Sequence, residues 1–295
     1  MKQLGRIAQL TVNERIFHTR LVFDVTVMQG FATSLDTTVK AYNLSNESRN
    51  YVEHLRSPQK KMFLAAGYGT PEANNMGTLF GGDIFWAHTE RTGPDLITTF
   101  QAGSGAAVAQ SAYIVIRGAQ NDYEVYQQIL SRLKNFGVSQ GYFSAAVKTA
   151  LQLGTHSTPF STSIMIDQLL KHLSSTYGFK FSVNNYEFNV HNPAEYEHPD
   201  AILLTPQTGL IGFPTKTKEN FLEVKALLNP QLAPGRKIQV QSLEFGIDQN
   251  TQKNRSIMMK ILKAKHKGDT LKGNYDTDME CASLNAKDLL GAFGA

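Results

Sequence analysis

Helical periodicity is concentrated in the middle of this chain, with period-two patterning before and after it. That order narrows the fold more than any other feature. Over residues 121–136, Val125, Ile129, Leu130 and Leu133 recur at helical spacing, with Asp122 at the start and Gly137 past the end. Over residues 163–177, Ile166, Leu169, Leu170 and Leu173 do the same, and Gly178 is the stop. The spacing predicts helices near 122–136 and 163–177, and a hairpin over 179–190 turning at Asn184-Asn185, since asparagine tolerates positive φ. Residues 144–153 read as a third helical stretch without clear limits.

On either side the pattern is β. Residues 20–28, 37–42 and 61–67 are rich in β-branched and apolar residues, as are 79–86, 95–100 and 111–117. A short helix starts at Ser45 or Asn46, with Tyr51, Val52 and Leu55 on one face and Ser57-Pro58 as its stop. Residues 68–78 hold Gly, Pro and Asn and read as a loop; residues 105–110 read as a loop or helical turn. After the helical block come strands at 201–204, 208–214, 221–228 and 237–243, then a pair at 256–267 and 274–284. Strand runs separated by a helical block argue against a doubly wound parallel sheet. The expected class is mainly β with an α+β insertion: a first antiparallel β domain over 1–118, a helix–hairpin insertion over 119–200, and a second β domain over 201–295. The glycine-rich tail from Gly291 to Ala295 is expected to fray.

Composition bounds the chemistry. A single cysteine, Cys281, excludes an internal disulfide framework and any multi-cysteine metal site, and reads as a buried, inert thiol. Charged residues make up 18%, below the ~25% usual for soluble domains, which leaves surface for protein contacts. The net charge of +4 is small for 295 residues. The densest basic stretch, Lys260, Lys263, Lys265, Lys267 and Lys272, reads as the solvated face of an edge strand rather than a nucleic-acid stripe. Residues 1–10 lack an apolar h-region and no stretch is long and apolar enough to span a bilayer, so neither a signal peptide nor a membrane anchor is expected.

No catalytic constellation stands out. His191, Glu195, Glu197 and His198 fall within eight residues, yet the spacing matches no known ligand pattern and a polar loop between Pro193 and Pro199 explains it. There is no nucleophile elbow and no P-loop. Glu90 beside His88 reads as strand surface, and the sole tryptophan, Trp86, as core rather than a sugar platform. The expectation is a protein without enzymatic activity, cofactor or metal.

The last third carries the specific residues. Thr208-Gly-Leu-Ile-Gly-Phe-Pro214 includes Gly209, Gly212 and Pro214. Asn229-Pro230 and Pro234-Gly235 frame the turn before the Ile238 strand. His266-Lys-Gly268-Asp269-Thr270 is followed by Tyr275-Asp-Thr-Asp-Met-Glu-Cys281. In order and spacing this succession resembles the hub proteins of contractile phage tails, a family that includes the late-control D proteins, the Mu-like baseplate hubs and the hub part of VgrG secretion spikes. The likeness extends closely over 200–284 and loosely over 20–118, with Tyr275 where a tryptophan is often found. The resemblance implies two tube-type β-barrel domains in each chain and a homotrimer. Its pseudo-sixfold ring would join a hexameric tail tube to a trimeric central spike, with a lumen for tape-measure protein and DNA. The implied partners are tube, spike, tape-measure and other baseplate proteins, in a virion assembled in the host cytoplasm; no sequence-specific nucleic-acid binding or membrane anchoring is implied. These glycines and prolines are expected to shape strand ends and turns, Asp269 to bond its hairpin loop beside a positive-φ Gly268 or Gly273, and His266 to pair across the sheet or with Asp269. The alternatives are the hub portion of a secretion or tailocin spike, a tail-tip wall hydrolase using Glu90, Glu195, Glu197 and His198, and a glycan-binding module using Trp86.

Overall fold

The computed structural model describes residues 5–28, 37–54, 61–69, 74–104, 112–196, 200–217, 221–242, 245, 247–248, 253–254 and 256–283. The first β region contains β1 (Gly5–Val12), β2 (Arg15–Phe17), β3 (Leu21–Met28), β4 (Thr37–Tyr42), helix α1 (Asn46–His54), β5 (Lys61–Gly69), β6 (Asn74–Thr92) and β7 (Asp95–Ser104). Strands β3 and β4 alternate strictly, with Leu21, Phe23, Val25, Val39 and Ala41 inward, so period two alone buries one face. The strands pair antiparallel in the order β3-β4-β7-β6-β5-β1, and β1 returns against β3, so the sheet curls around one core. Ser45 caps α1 by accepting from the Ser48 amide.

Residues 68–69 and 74–78 are strand rather than the expected loop, and residues 70–73 lie outside the described residues. Tyr68 and Gly69 end β5, and Asn74 to Thr78 begin β6 directly opposite. The glycines and asparagines that suggested a loop are tolerated because the strands on either side of them pair. Strand β6 changes partner along its length, pairing β5 up to Asp83 and β7 from Gly82 onward. Gly82 sits at that switch, where an added Cβ would meet the Gly103 carbonyl and the Phe80 ring.

The second β region contains β13 (Ile202–Leu204), β14 (Leu210–Lys216), β15 (Phe221–Leu227), β16 (Lys237–Gln241), the short pair β17 (Ile247–Asp248) and β18 (Lys253–Asn254), β19 (Ser256–Asp269) and β20 (Tyr275–Ala282). It has its own core, which includes Leu222, Val224, Ile238, Val240, Met259, Ile261 and Cys281. The two β regions are joined: β19 pairs antiparallel with β3 from Lys263↔Met28 to Asp269↔Val22, which merges them into one 13-stranded sheet over two cores.

The insertion lies between them. It comprises β8 (Tyr113–Asn121), α2 (Asp122–Lys134), β9 (Ser139–Phe143), α3 (Ala145–Leu153), β10 (Thr155–Met165), α4 (Ile166–Tyr177), β11 (Lys180–Asn184) and β12 (Glu187–His191) around a third core. The chain is therefore mainly β with an α+β insertion. The limit expected at 118 falls inside β8, which pairs with β10 rather than with the first region. Residues 163–165, expected to open a helix, finish β10, and α4 begins at Ile166. Asn121 caps α2 by accepting from the Glu124 amide, and Gly178 (φ +68°) ends α4. The hairpin turns one residue later than expected, at Asn185-Tyr186, both with positive φ. Tyr186 holds that unusual conformation because its ring packs beside Phe63 (5.8 Å) and its hydroxyl donates to Asp83 (2.8 Å), which fastens the insertion to the first region. Burial pushes the Asp83 carboxyl above its ordinary range. The expected loop at 105–110, Leu55, Ser57, Pro58 and the tail at 291–295 lie outside the described residues.

Candidate functional site

The motif residues of the last third converge on the seam between the two β regions. Tyr275, the first residue of β20, reaches into the core of the first region. Its hydroxyl donates to the Ile7 carbonyl (2.5 Å), lies 3.1 Å from the Gly67 carbonyl and accepts from the Gly67 amide. Phe23 and Tyr68 meet its ring edge-on, Arg6 lies over its face, and the Tyr68 hydroxyl donates to its carbonyl. Burial pushes the Tyr275 hydroxyl well above the ordinary tyrosine range.

Asp269 makes the second clasp. Its carboxylate accepts from Arg20 through Nε (3.1 Å) and Nη2 (2.6 Å), and Arg20 stacks on Tyr42. Hydrogen bonding to Arg20 holds the Asp269 carboxyl below its usual range, so this pairing stabilises the fold at neutral pH and fades as pH falls through that lowered value. Asp269 also accepts from the Leu271 amide, as expected, while Gly273 rather than Gly268 takes the positive φ. Gly268 serves instead as the floor beneath the Phe23 ring. Thr270 donates its amide to the Leu21 carbonyl and accepts the Leu21 amide on Oγ1. Arg20 and Phe23 carry no signal of their own in the sequence, because their partners lie roughly 250 residues away.

His266 bonds Thr277 (2.9 Å) and not Asp269. The Asn229 amide donates to the same Thr277 oxygen, so the threonine hydroxyl is free to donate to His266 Nδ1. Burial lowers the His266 pKa to about 4. Pro230 lines a small cavity with His266 where all three parts of the chain meet. Gly235 (φ +90°) donates its amide to Ile261, and Pro234 is buried beside it. Gly209 and Gly212 have positive φ at either side of Leu210 and Ile211, and Pro214 lies within the irregular stretch of β14.

The face opposite the cores is a ladder of charge. On β19, Lys263, Lys265 and Lys267 point outward; on β20, Asp276, Asp278 and Glu280 point the same way. Lys225 bridges Asp276 (3.0 Å) and Asp278 (3.5 Å), Lys267 pairs with Asp278 (3.0 Å), and Lys265 with Asp24 (3.0 Å). The basic stretch is thus on a central strand, not an edge, and each lysine column faces an acidic one. Lys260 departs from the pattern: it is buried, and its ammonium donates to the carbonyls of Asn192 and Glu195.

That contact also revises the expected solvated loop at 191–198. His191 ends β12 buried, with Nε2 3.0 Å from Ser182, and Glu195 accepts from Ser144. Glu197 and His198 lie outside the described residues. Among the described residues no group of three or more His, Cys, Asp or Glu side chains is placed to hold a metal. Glu90 is exposed on β6. Cys281 is buried, and burial pushes its thiol far above the ordinary range.

Trp86 is not core. A register shift between Ile84 and Trp86 makes Phe85 an extra residue in β6, so Phe85 and Trp86 are both about half exposed (47% and 46%). They sit on the part of β6 that pairs only with β7. Among the described residues, the opposite edge of that part has no strand partner, and neither has the outer edge of β14.

No protein-family model and no curated protein matches this sequence. Solved structures do. A 43 kDa tail protein of prophage MuSo2 from Shewanella oneidensis superposes with a TM-score of 0.59 at 9% identity, covering 96% of this chain and 98% of that one. A tail protein from Neisseria meningitidis gives 0.59 at 8%, covering 98% and 99%. An Escherichia coli component of the type VI secretion system, described as structurally similar to T4 bacteriophage tail proteins gp27 and gp5, gives 0.55 at 10%, covering 93% and 76%. The fold is that of phage tail proteins. At such low identity the likeness rests on backbone path alone, which here extends over nearly the whole chain.

Proposed function

We propose that this protein is a structural, non-enzymatic baseplate hub of a contractile phage tail. In this reading it is a homotrimeric adaptor that joins the hexameric tail tube to a trimeric central spike, with tape-measure and other baseplate proteins as neighbours. The observation that carries the reading is the sheet itself. The run β14-β15-β20-β19-β3-β4-β7-β6 has eight strands, and each neighbouring pair is antiparallel. An even number means that the two end strands run in opposite directions. Rotating a second copy about an axis along the strands therefore sets its β14 antiparallel to the free part of β6. Head-to-tail contacts of this kind close into a ring when the rotation between copies is a third of a turn, and pairing removes the edges that otherwise invite aggregation. Three copies with two β regions each present six similar units to a hexameric tube. The outward ladder of Lys40, Lys225, Lys263, Lys265 and Lys267 against Asp24, Glu223, Asp276, Asp278 and Glu280 then lines the lumen with balanced charge.

Light scattering on the purified chain, alone and with its candidate spike, tests the ring. The expected species has the mass of three chains, and a monomer in both samples would remove the reading. Trp86 gives a second readout because it is the sole tryptophan and lies at the free edge. Its emission is expected to shift to the blue as the trimer forms on concentration, and an unchanged spectrum across a confirmed monomer-to-trimer transition would place the contact elsewhere. The secretion-spike reading is supported by the likeness to the Escherichia coli protein; co-purification with tube proteins of one system or the other separates the two.

A further inference from the structure

Among the described residues, no strand pairs the edge of β8 that lies opposite β10. The Ala112 carbonyl accepts from the Ile166 amide, so Ala112 faces β10. Arg117 faces the other way: its amide donates to Gln128 Oε1 (3.0 Å) and its carbonyl accepts from Gln128 Nε2 (3.2 Å). The side-chain amide of Gln128 on α2 thus bonds Arg117 as the peptide group of an adjoining strand would. Backbone direction alternates along a strand, so Val115 and Tyr113 point their N–H and C=O groups to the same side as Arg117. There they meet a groove of about 450 Å3 between β8 and α2, lined by Tyr113, Ile114, Val115, Gln128, Ser131, Arg132 and Asn135. The side chains of Tyr113 and Val115 are 65% and 54% exposed, among the most exposed large apolar groups of the chain. The lining holds one guanidinium, on Arg132, and no carboxylate.

We propose that this groove binds an extended, acidic segment of another protein as an added strand. Its backbone would continue the pattern that Gln128 begins at Arg117, bonding Val115 and then Tyr113. Apolar side chains on one face of the segment would cover Tyr113 and Val115, and a carboxylate on the segment would meet Arg132. Backbone pairing supplies affinity in such strand addition, while side chains on alternate positions supply selectivity. The groove is separate from the edges of β14 and β6, so the proposal stands independently of the ring.

The probe is an array of alternating hexapeptides built on Thr-Val-Glu-Val-Thr-Val, with lysine or proline at the central position as counterparts, and fluorescence anisotropy for the peptides captured by the full chain. The expected result is saturable binding of the glutamate peptides over the lysine and proline ones. Val115→Pro removes one donor on the groove side without touching the bonds to β10, and Arg132→Glu reverses the charge; each is expected to weaken binding about tenfold or more. Far-ultraviolet circular dichroism and light scattering on both variants confirm that fold and mass are kept. Capture indifferent to glutamate against lysine, or to Val115→Pro, overturns the proposal, as does the absence of any capture. A variant that changes the mass of the assembly instead would assign the groove to contacts between copies and also overturn it.

Discussion

Replacing Tyr275 by alanine is expected to lower the unfolding free energy by about 3–5 kcal/mol, the range for removing a large buried aromatic ring. The ring belongs to the second β region and fills the core of the first, between Phe23 and Tyr68, so the cavity opens at the seam rather than within either core. Tyr275→Phe separates the packing from the hydroxyl. It keeps the ring and leaves the Ile7 and Gly67 carbonyls and the Gly67 amide without their shared partner, a cost of about 1–3 kcal/mol. Urea titration of the three proteins reads both effects. An alanine variant within about 1 kcal/mol of the parent would mean that the β3–β19 ladder and the Arg20–Asp269 clasp hold the two regions together without the ring.

Acidification is expected to weaken the protein well above the range where its carboxylates are protonated, and His266 is the cause. The imidazole is buried and its pKa is lowered to about 4 in the folded chain, against about 6.5 unfolded. Between these values the unfolded chain binds a proton that the folded chain refuses. The stability contribution is therefore complete above about pH 6.5 and is lost as pH falls toward 4, a difference of roughly 3 kcal/mol. Protonation also puts a charge on a buried imidazole whose Nδ1 is bonded to the neutral Thr277 hydroxyl. His266→Gln keeps a polar side chain at the position and has no proton to gain. Unfolding free energies measured from pH 7 to pH 4.5 should fall steeply for the parent and remain nearly level for the glutamine variant. Parallel slopes for the two proteins would rule His266 out as the titrating group.

Much of the fold was legible because period-two and period-3.6 patterns are local. Leu21 to Val25, the repeat of Leu169, Leu170 and Leu173, and the glycine after α4 each announce their element without help from distant residues. Strands β1, β9 and β10 were not announced. Each has few fully buried apolar side chains, and each is held by a partner far along the chain, as β1 is by β5 and β9 by β12. The loop expectation failed at 68–69 and 74–78 for the same reason: glycine and asparagine weaken a strand locally, and cross-strand pairing overrides them. Trp86 misled because its exposure follows from a bulge in β6, and a bulge exists only relative to the strand opposite.

The sequence by itself determined the class of the fold and the order of its β and α+β parts, since hydrophobic period, caps and turn chemistry act over a few residues. Only the tertiary structure decided that Tyr275 completes the core of the other β region, that Arg20 meets Asp269, that the lysines of β19 face a column of carboxylates, and that among the described residues the outer edge of β14 and the free part of β6, which run in opposite directions, have no strand partner. Those are relations between residues tens to hundreds of positions apart, and they come into being when antiparallel pairing sets the register between strands.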